Sequence, residues 1–273
     1  MTEEIPAPVI LSGRFADAVG YASQIHHDQT RKGSGMPYIA HLLGAASLVL
    51  EQPGVTEDQA IAAMLHDAIE DQPDRTSLDT ITQRFGPAVA QIVSNCTDAD
   101  SHPKPPWRHR KQAYLHHLEE VQLASLQVSL ADKVHNARAI LEDLRSVGDD
   151  VWSRFSAPPV AQRWYYRSLA EVFSRRVDNQ LSETLNRTVQ EMTAGLPEQV
   201  VLSPSPGRPA WVGTHGLTGA ATTIEEAEHT VGQDLQPANE NAWTTADGRW
   251  WVQPADTGDP FRPNAIFVHV QAS

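Results

Sequence analysis

Between Ser12 and about Arg187, apolar residues return every three or four positions, in runs separated by short breaks carrying Gly, Pro or Asp. This spacing follows the turn of an α-helix and not the alternation of a strand, which confines most of the chain to packed helices. Ser12 is placed to cap a helix whose Phe15, Val19, Ala22 and Ile25 share one side. Pro37 precedes a second, with Leu42, Ala45, Ala46 and Val49 facing in. Thr56, followed by Glu57 and Asp58, opens a third that carries Ile61, Leu65 and Ile69. Further helical stretches are predicted over 78–85, 87–96, 108–119, 126–144 and 160–185, and together they describe a compact helical bundle.

After Leu196 the pattern stops. Pro197, Pro204, Pro206 and Pro209 crowd together and Gly207, Gly213, Gly216 and Gly219 follow, which is the punctuation of a linker. Beyond it, a short helix over 223–231 and strand-like runs over 250–253 and 265–270 predict a small α+β appendage. The chain carries 21 Lys and Arg against 34 Asp and Glu, a net charge of −13. Such a surface repels phosphodiester backbones, so nucleic acid is not an expected partner. No apolar run reaches the roughly 18 residues of a membrane span. The opening Met1-Thr2-Glu3-Glu4 is acidic where a secretion signal is basic. A single cysteine, Cys96, excludes an internal disulfide and a thiolate metal cluster, and the expected compartment is the reducing cytoplasm.

In the third helix His66-Asp67 is followed by Glu70-Asp71, so His66 with Glu70, and Asp67 with Asp71, are expected as i,i+4 neighbours beside the apolar face. Carboxylates packed this closely raise one another's pKa, a cost that a divalent cation removes. Asp132 and Asn136 stand four apart on a later helix whose core side is Leu130, Val134, Ala137 and Leu141, and His41 begins the helix after Pro37. Two imidazoles and two carboxylates without sulfur suit Mn²⁺, Fe²⁺ or Zn²⁺ and leave positions open for water and a phosphate oxygen. Arg31-Lys32, Lys111, Lys133 and Arg138 read as a basic rim for an anionic substrate, and Arg108 and Arg110 as solvated helix charge. His116-His117 reads as a surface pair, Trp164-Tyr165-Tyr166 as core, and Cys96 as a buried structural thiol.

Three segments carry the candidate ligands, the Glu70-Asp71 pair, Arg31-Lys32 and Asn136: His26-His27-Asp28-Gln29-Thr30-Arg31-Lys32-Gly33-Ser34-Gly35-Met36-Pro37-Tyr38-Ile39-Ala40-His41, Leu65-His66-Asp67-Ala68-Ile69-Glu70-Asp71, and Leu130-Ala131-Asp132-Lys133-Val134-His135-Asn136-Ala137-Arg138. In this order they resemble the HD-domain phosphohydrolases, and among them the (p)ppGpp hydrolases of the RelA/SpoT and small alarmone hydrolase type. The resemblance implies an all-α HD-domain bundle in which His41, His66, Asp67 and Asp132 hold a metal, Mn²⁺ foremost. It implies that Glu70 and Asp71 activate water, and that Arg31, Lys32, Ser34 and Asn136 meet the nucleotide, with Lys111 added from the basic rim. Met36, Leu42 and Asp28 depart from residues common in the family at those places, without touching a ligand or the Glu-Asp pair.

The sequence thus predicts an extension over 1–12, the HD phosphohydrolase domain over 13–187, and a linker with a small α+β segment over 188–273. The expected partner is a small-molecule nucleotide, with no membrane, and a homo-oligomer is compatible with this reading. The expected reaction removes the 3′-pyrophosphate of guanosine alarmones, with two alternatives. One is the same centre acting on ppApp or NADPH. The other is a non-catalytic alarmone-binding regulator, against which the intact Glu70-Asp71 pair stands.

Overall fold

The computed structural model describes residues 9–97, 107–155, 157, 159–194 and, beyond them, the strands given below. Two compact units are distinguished: one built from residues up to Pro105 with Gln112–Arg154 and Arg167–Met192, the other from Pro106–Lys111, Phe155–Tyr166 and the chain from Thr193 on.

In the first unit α1 (Gly13–Ile25) is capped by Ser12, whose hydroxyl accepts the Arg14 N–H. Ala18, Tyr21, Ala22 and Ile25 are buried, while Phe15 and Val19 are only half-covered. The second helix, α2 (Ile39–Leu50), buries Leu42, Ala45, Ala46 and Val49 as the pattern predicts. α3 (Glu57–Leu65) begins with a capping box between Thr56 and Gln59 and is buried from Gln59 to Leu65, which makes it the centre of the unit. Short helices α4 (Ala68–Asp71), α5 (Leu78–Phe85) and α6 (Pro87–Cys96) follow, then α7 (Trp107–Glu120), which belongs to this unit from Gln112 on, and the long α8 (Leu123–Val147). α8 packs against α2, α3 and α6. Its buried stripe includes Leu126, Leu130, Val134, Ala137 and Leu141.

A web of buried amides ties these helices at one end. Gln59 Nε2 donates to Gln127 Oε1 at 2.7 Å, and Gln52 Nε2 donates to the Gln127 carbonyl at 2.9 Å. Every amide so placed is satisfied, as burial requires. Leu130 is fully buried, so Leu130→Ala is expected to lower unfolding stability by about 2–5 kcal/mol, measured by urea titration.

Two helices expected as continuous are broken. The helix from Thr56 stops at Leu65, and α4 restarts after a turn at His66-Asp67, with Asp67 at φ −97° and ψ 0°. His66 Nδ1 donates to the Ala63 carbonyl at 2.8 Å, the carbonyl that an uninterrupted helix gives to the Asp67 N–H. The stretch 160–185 is likewise α9 (Pro159–Arg176) and α10 (Gln180–Met192). Asn179 Oδ1 accepts from the N–H groups of Leu181 and Ser182, a cap that restarts the chain. α10 runs past residue 187, and it packs on α8.

In the second unit Trp107 lies 6.2 Å from Trp164 and 5.9 Å from Tyr165, and Tyr165 and Tyr166 are buried, in keeping with a core role for this aromatic group. Six strands, β1 (Gln199–Ser205), β2 (Arg208–Val212), β3 (Leu235–Asn239), β4 (Ala242–Thr245), β5 (Trp250–Pro254) and β6 (Ile266–Val270), form one antiparallel sheet in the order β2-β1-β6-β5-β4-β3. β1 and β2 occupy part of the segment expected as linker. Pro204 pairs with Pro209 on edge strand β2, and Pro237 lies on edge strand β3, where a missing donor costs least. The helix expected over 223–231 lies outside the described residues. No helix among the described residues is long and apolar enough to cross a membrane.

Candidate metal centre

The break between α3 and α4 shapes the site. Adjacent residues on one helix diverge around its axis, but at the turn His66 Nε2 and Asp67 Oδ2 come within 3.0 Å of one another. The continuous helical stripe expected for His66, Asp67, Glu70 and Asp71 is therefore not formed, although Asp71 N–H still reaches the Asp67 carbonyl at 2.9 Å. From α2, His41 Nε2 lies 3.3 Å from His66 Nε2 and 3.5 Å from Asp67 Oδ2. From α8, Asp132 Oδ1 lies 3.3 Å from His41 Nε2 and 3.5 Å from His66 Nε2. A metal with bonds of about 2.1 Å sets adjacent ligand atoms about 3.0 Å apart at right angles and about 3.4 Å apart at tetrahedral angles. The four predicted ligands thus meet at spacings that one divalent cation fits. Of the four, His41, His66 and Asp132 are buried and Asp67 is half-buried.

Charge at the site is balanced within it. Burial opposes a charged His66, but Asp67 and Asp132 overcome this and raise its pKa well above the ordinary imidazole value. Burial would also neutralise Asp132, yet Lys133, His66 and His41 hold it well below the carboxylate range. Asp67 is held low by His66 and His41 in the same way. The two carboxylates thus favour positive charge at this place, which is what a bound cation would supply. Asp71 differs, because burial and the charge of Asp67 push its pKa up.

The loop 31–36 is folded tightly. Arg31 N–H reaches the Met36 carbonyl at 2.8 Å, Ser34 Oγ accepts from Met36 N–H, and Gly33 and Gly35 take positive φ values of 87° and 69°. Arg31 Nη2 donates to Asn136 Oδ1 at 2.9 Å, and Asn136 Nδ2 donates to Asp132 Oδ1 at 2.5 Å. Lys32 is exposed in the same loop. Lys111 belongs to the second unit, with its Nζ 4.8 Å from the Tyr165 ring centre. Lys133 donates to Asp132 Oδ2 at 2.6 Å, directly onto one of the predicted ligands. Arg138 lines a different cavity, of about 440 Å³, with Glu51, Asp178 and Asn179. His117 is half-covered and reaches the Asn95 carbonyl, while His116 is exposed. Cys96 contacts Ser129, and burial raises its pKa.

Three further residues enter the site without having been singled out from the sequence. Tyr38 O–H donates to Asp67 Oδ2 at 2.6 Å. Gln29 accepts on Oε1 from His26 Nδ1 and from Gln72 Nε2, both at 2.6 Å, which leaves its own amide N–H to donate to Asp71 Oδ2 at 2.7 Å. His135 Nδ1 lies 2.9 Å from His41 Nδ1, and burial, then His41, pulls its pKa down to about 4.

The model of the HD domain matches residues 18–159, just over half of the chain. A Xenopus tropicalis protein named guanosine-3′,5′-bis(diphosphate) 3′-pyrophosphohydrolase MESH1 is 34% identical over 139 residues, which is 50% of this chain and 73% of that protein. Its human counterpart is 32% identical over 144 residues, 52% of this chain and 75% of that protein. The bifunctional (p)ppGpp synthase/hydrolase SpoT of Escherichia coli K12 is 32% identical over 133 residues, 46% of this chain and 18% of SpoT. A solved structure of a metazoan ortholog of SpoT shares the fold, with a TM-score of 0.54 and 21% identity over 67% of this chain and 97% of that one. With its matched segment spanning the four predicted ligands from His41 to Asp132, the chain belongs to the HD-domain family.

Proposed function

We propose that this chain hydrolyses the 3′-pyrophosphate of guanosine alarmones, converting ppGpp or pppGpp and water into GDP or GTP and pyrophosphate. The observation that carries the reading is the meeting of two imidazoles and two carboxylates at spacings suited to one cation, in a chain 34% identical over 139 residues to a protein named as a 3′-pyrophosphohydrolase. His41, His66, Asp67 and Asp132 would hold the ion, with Mn²⁺ as first choice and Fe²⁺ or Zn²⁺ as substitutes. When bound, the ion supplies the Lewis acidity that polarises a phosphoryl oxygen and makes a water molecule acidic near neutral pH. The water oxygen joins the phosphorus on the 3′ oxygen, the P–O3′ bond breaks, and the proton ends on O3′. Asp71, aimed by Gln29 and raised in pKa by burial, accepts the water proton, and Glu70 beside it in α4 assists the transfer. Arg31, Lys32, Ser34 and Asn136 meet the base and phosphates, with the Arg31 guanidinium as the planar donor. A lone Cys96 suits a reducing compartment, and we assign the cytoplasm.

Purified chain loaded with Mn²⁺ and offered ppGpp, ppApp and NADPH tests this. Pyrophosphate from ppGpp, lost on chelation and restored by Mn²⁺, is the expected result. Release only from another nucleotide overturns the substrate, and tight ppGpp binding without turnover overturns the enzyme in favour of the regulator. Arg31→Ala is expected to raise KM for ppGpp by about 10- to 100-fold with a smaller effect on kcat, the loss of one charged hydrogen bond.

A further inference from the structure

His41 has a partner at each ring nitrogen. Nε2 faces His66, Asp67 and Asp132, and Nδ1 faces His135 Nδ1 at 2.9 Å, with the two rings 4.8 Å apart. In a nitrogen–nitrogen contact this short one ring donates and the other accepts. A histidine that ligates through Nε2 keeps its proton on Nδ1, so with an ion held there His41 would be the donor, and His135 would carry its own proton on Nε2. This is the place where a ligating imidazole usually finds a carboxylate or a backbone carbonyl.

The ring of His135 has been given room. A Cβ added to Gly44, one helical turn after His41 on α2, would lie 2.2 Å from His135 Nε2 and 2.3 Å from its Cδ2. Glycine inside a helix costs about 1 kcal/mol relative to alanine, and Gly44 has no positive φ to require it. What the missing side chain allows is the approach of this imidazole.

We propose that His135 is a positioning residue for the metal centre: seated in the notch at Gly44, it accepts the Nδ1 proton of His41 and so fixes the tautomer that turns Nε2 toward the ion. The inference rests on the metal-centre reading but not on the identity of the substrate. Loss of such an outer partner typically weakens metal binding by about 10- to 100-fold.

The test uses the full chain, stripped by chelator and titrated with Mn²⁺ in the absence of nucleotide. His135→Leu is expected to raise the Mn²⁺ dissociation constant about 10- to 100-fold. His135→Asn, whose Oδ1 stands at the same branch as the imidazole Nδ1, is expected to recover most of that loss. Gly44→Ala, which leaves every donor in place but displaces the ring, is expected to weaken binding in the same direction. It carries the test should His135→Leu not fold. Nitrogen–proton correlation spectra of the Zn²⁺-loaded protein are expected to show a proton on Nδ1 of His41 and on Nε2 of His135, a readout that packing alone does not set. Unchanged affinity in a folded His135→Leu or in Gly44→Ala, equal losses in the Leu and Asn variants, or the opposite tautomers would overturn the proposal. Wild-type protein that binds no Mn²⁺ overturns the metal centre itself, whereas tight binding without ppGpp turnover counts only against the substrate.

Discussion

Asp132→Ala is expected to end hydrolysis and metal retention together. Its carboxylate lies 3.3 Å from His41 Nε2 and 3.5 Å from His66 Nε2, and it also accepts from Lys133 and Asn136. Truncation would remove a proposed cation ligand together with the Asp132 acceptor of the Lys133 ammonium. A metal's charge stabilisation is worth several kcal/mol, and each ~1.4 kcal/mol is tenfold in rate, so kcat/KM is expected to fall by about 10³-fold or more. Asp132→Asn keeps the shape, removes the negative charge and should lose affinity for Mn²⁺ while retaining the fold. Steady-state kinetics alongside the metal content of dialysed protein check both. Wild-type turnover with one ion per chain in Asp132→Ala would remove this residue from the ligand set.

Glu70→Ala should separate chemistry from metal binding. Proton transfer by a placed carboxylate contributes about 10²–10⁴ in rate, so kcat is expected to drop by that factor while metal content and KM stay near wild type. Asp71→Asn is expected to behave similarly, since it keeps a side chain in contact with Gln29 but gives up the group proposed to take the proton. Rapid-mixing measurements of pyrophosphate release distinguish slowed chemistry from slowed product departure. Wild-type kcat in Glu70→Ala would remove it from the catalytic pair, and the same result in both variants would leave proton transfer with another group.

Helices with one apolar stripe and a punctuated end are legible in this sequence, and α2, α5 and α6 lie where their patterns put them. The two missed breaks have different origins. Asn179 is a capping residue, and its type was an available signal within the stretch that read as one helix. The break at His66 arises from an imidazole taking a carbonyl of its own helix, and the apolar period carries no trace of that. Motif order names His41, His66, Asp67 and Asp132, but their convergence depends on how α2, α3 and α8 pack, which no local pattern holds. Gln29, Tyr38 and His135 lie inside the very segments that carry the family resemblance. A polar residue there gives no sign of which neighbour it will bond, and Gln29 finds its carboxylate 42 positions away.

The bridge from Arg31 through Asn136 to Asp132 joins the loop proposed to meet the nucleotide with a proposed ligand of the cation. Two binding events that share a bridging amide are not independent. A phosphate that draws on Arg31 changes what Asn136 can offer Asp132, and thermodynamic reciprocity then requires the ion to alter nucleotide affinity by the same factor that the nucleotide alters affinity for the ion. On the proposed assignment, substrate and cofactor would report on each other's occupancy through a single side-chain relay.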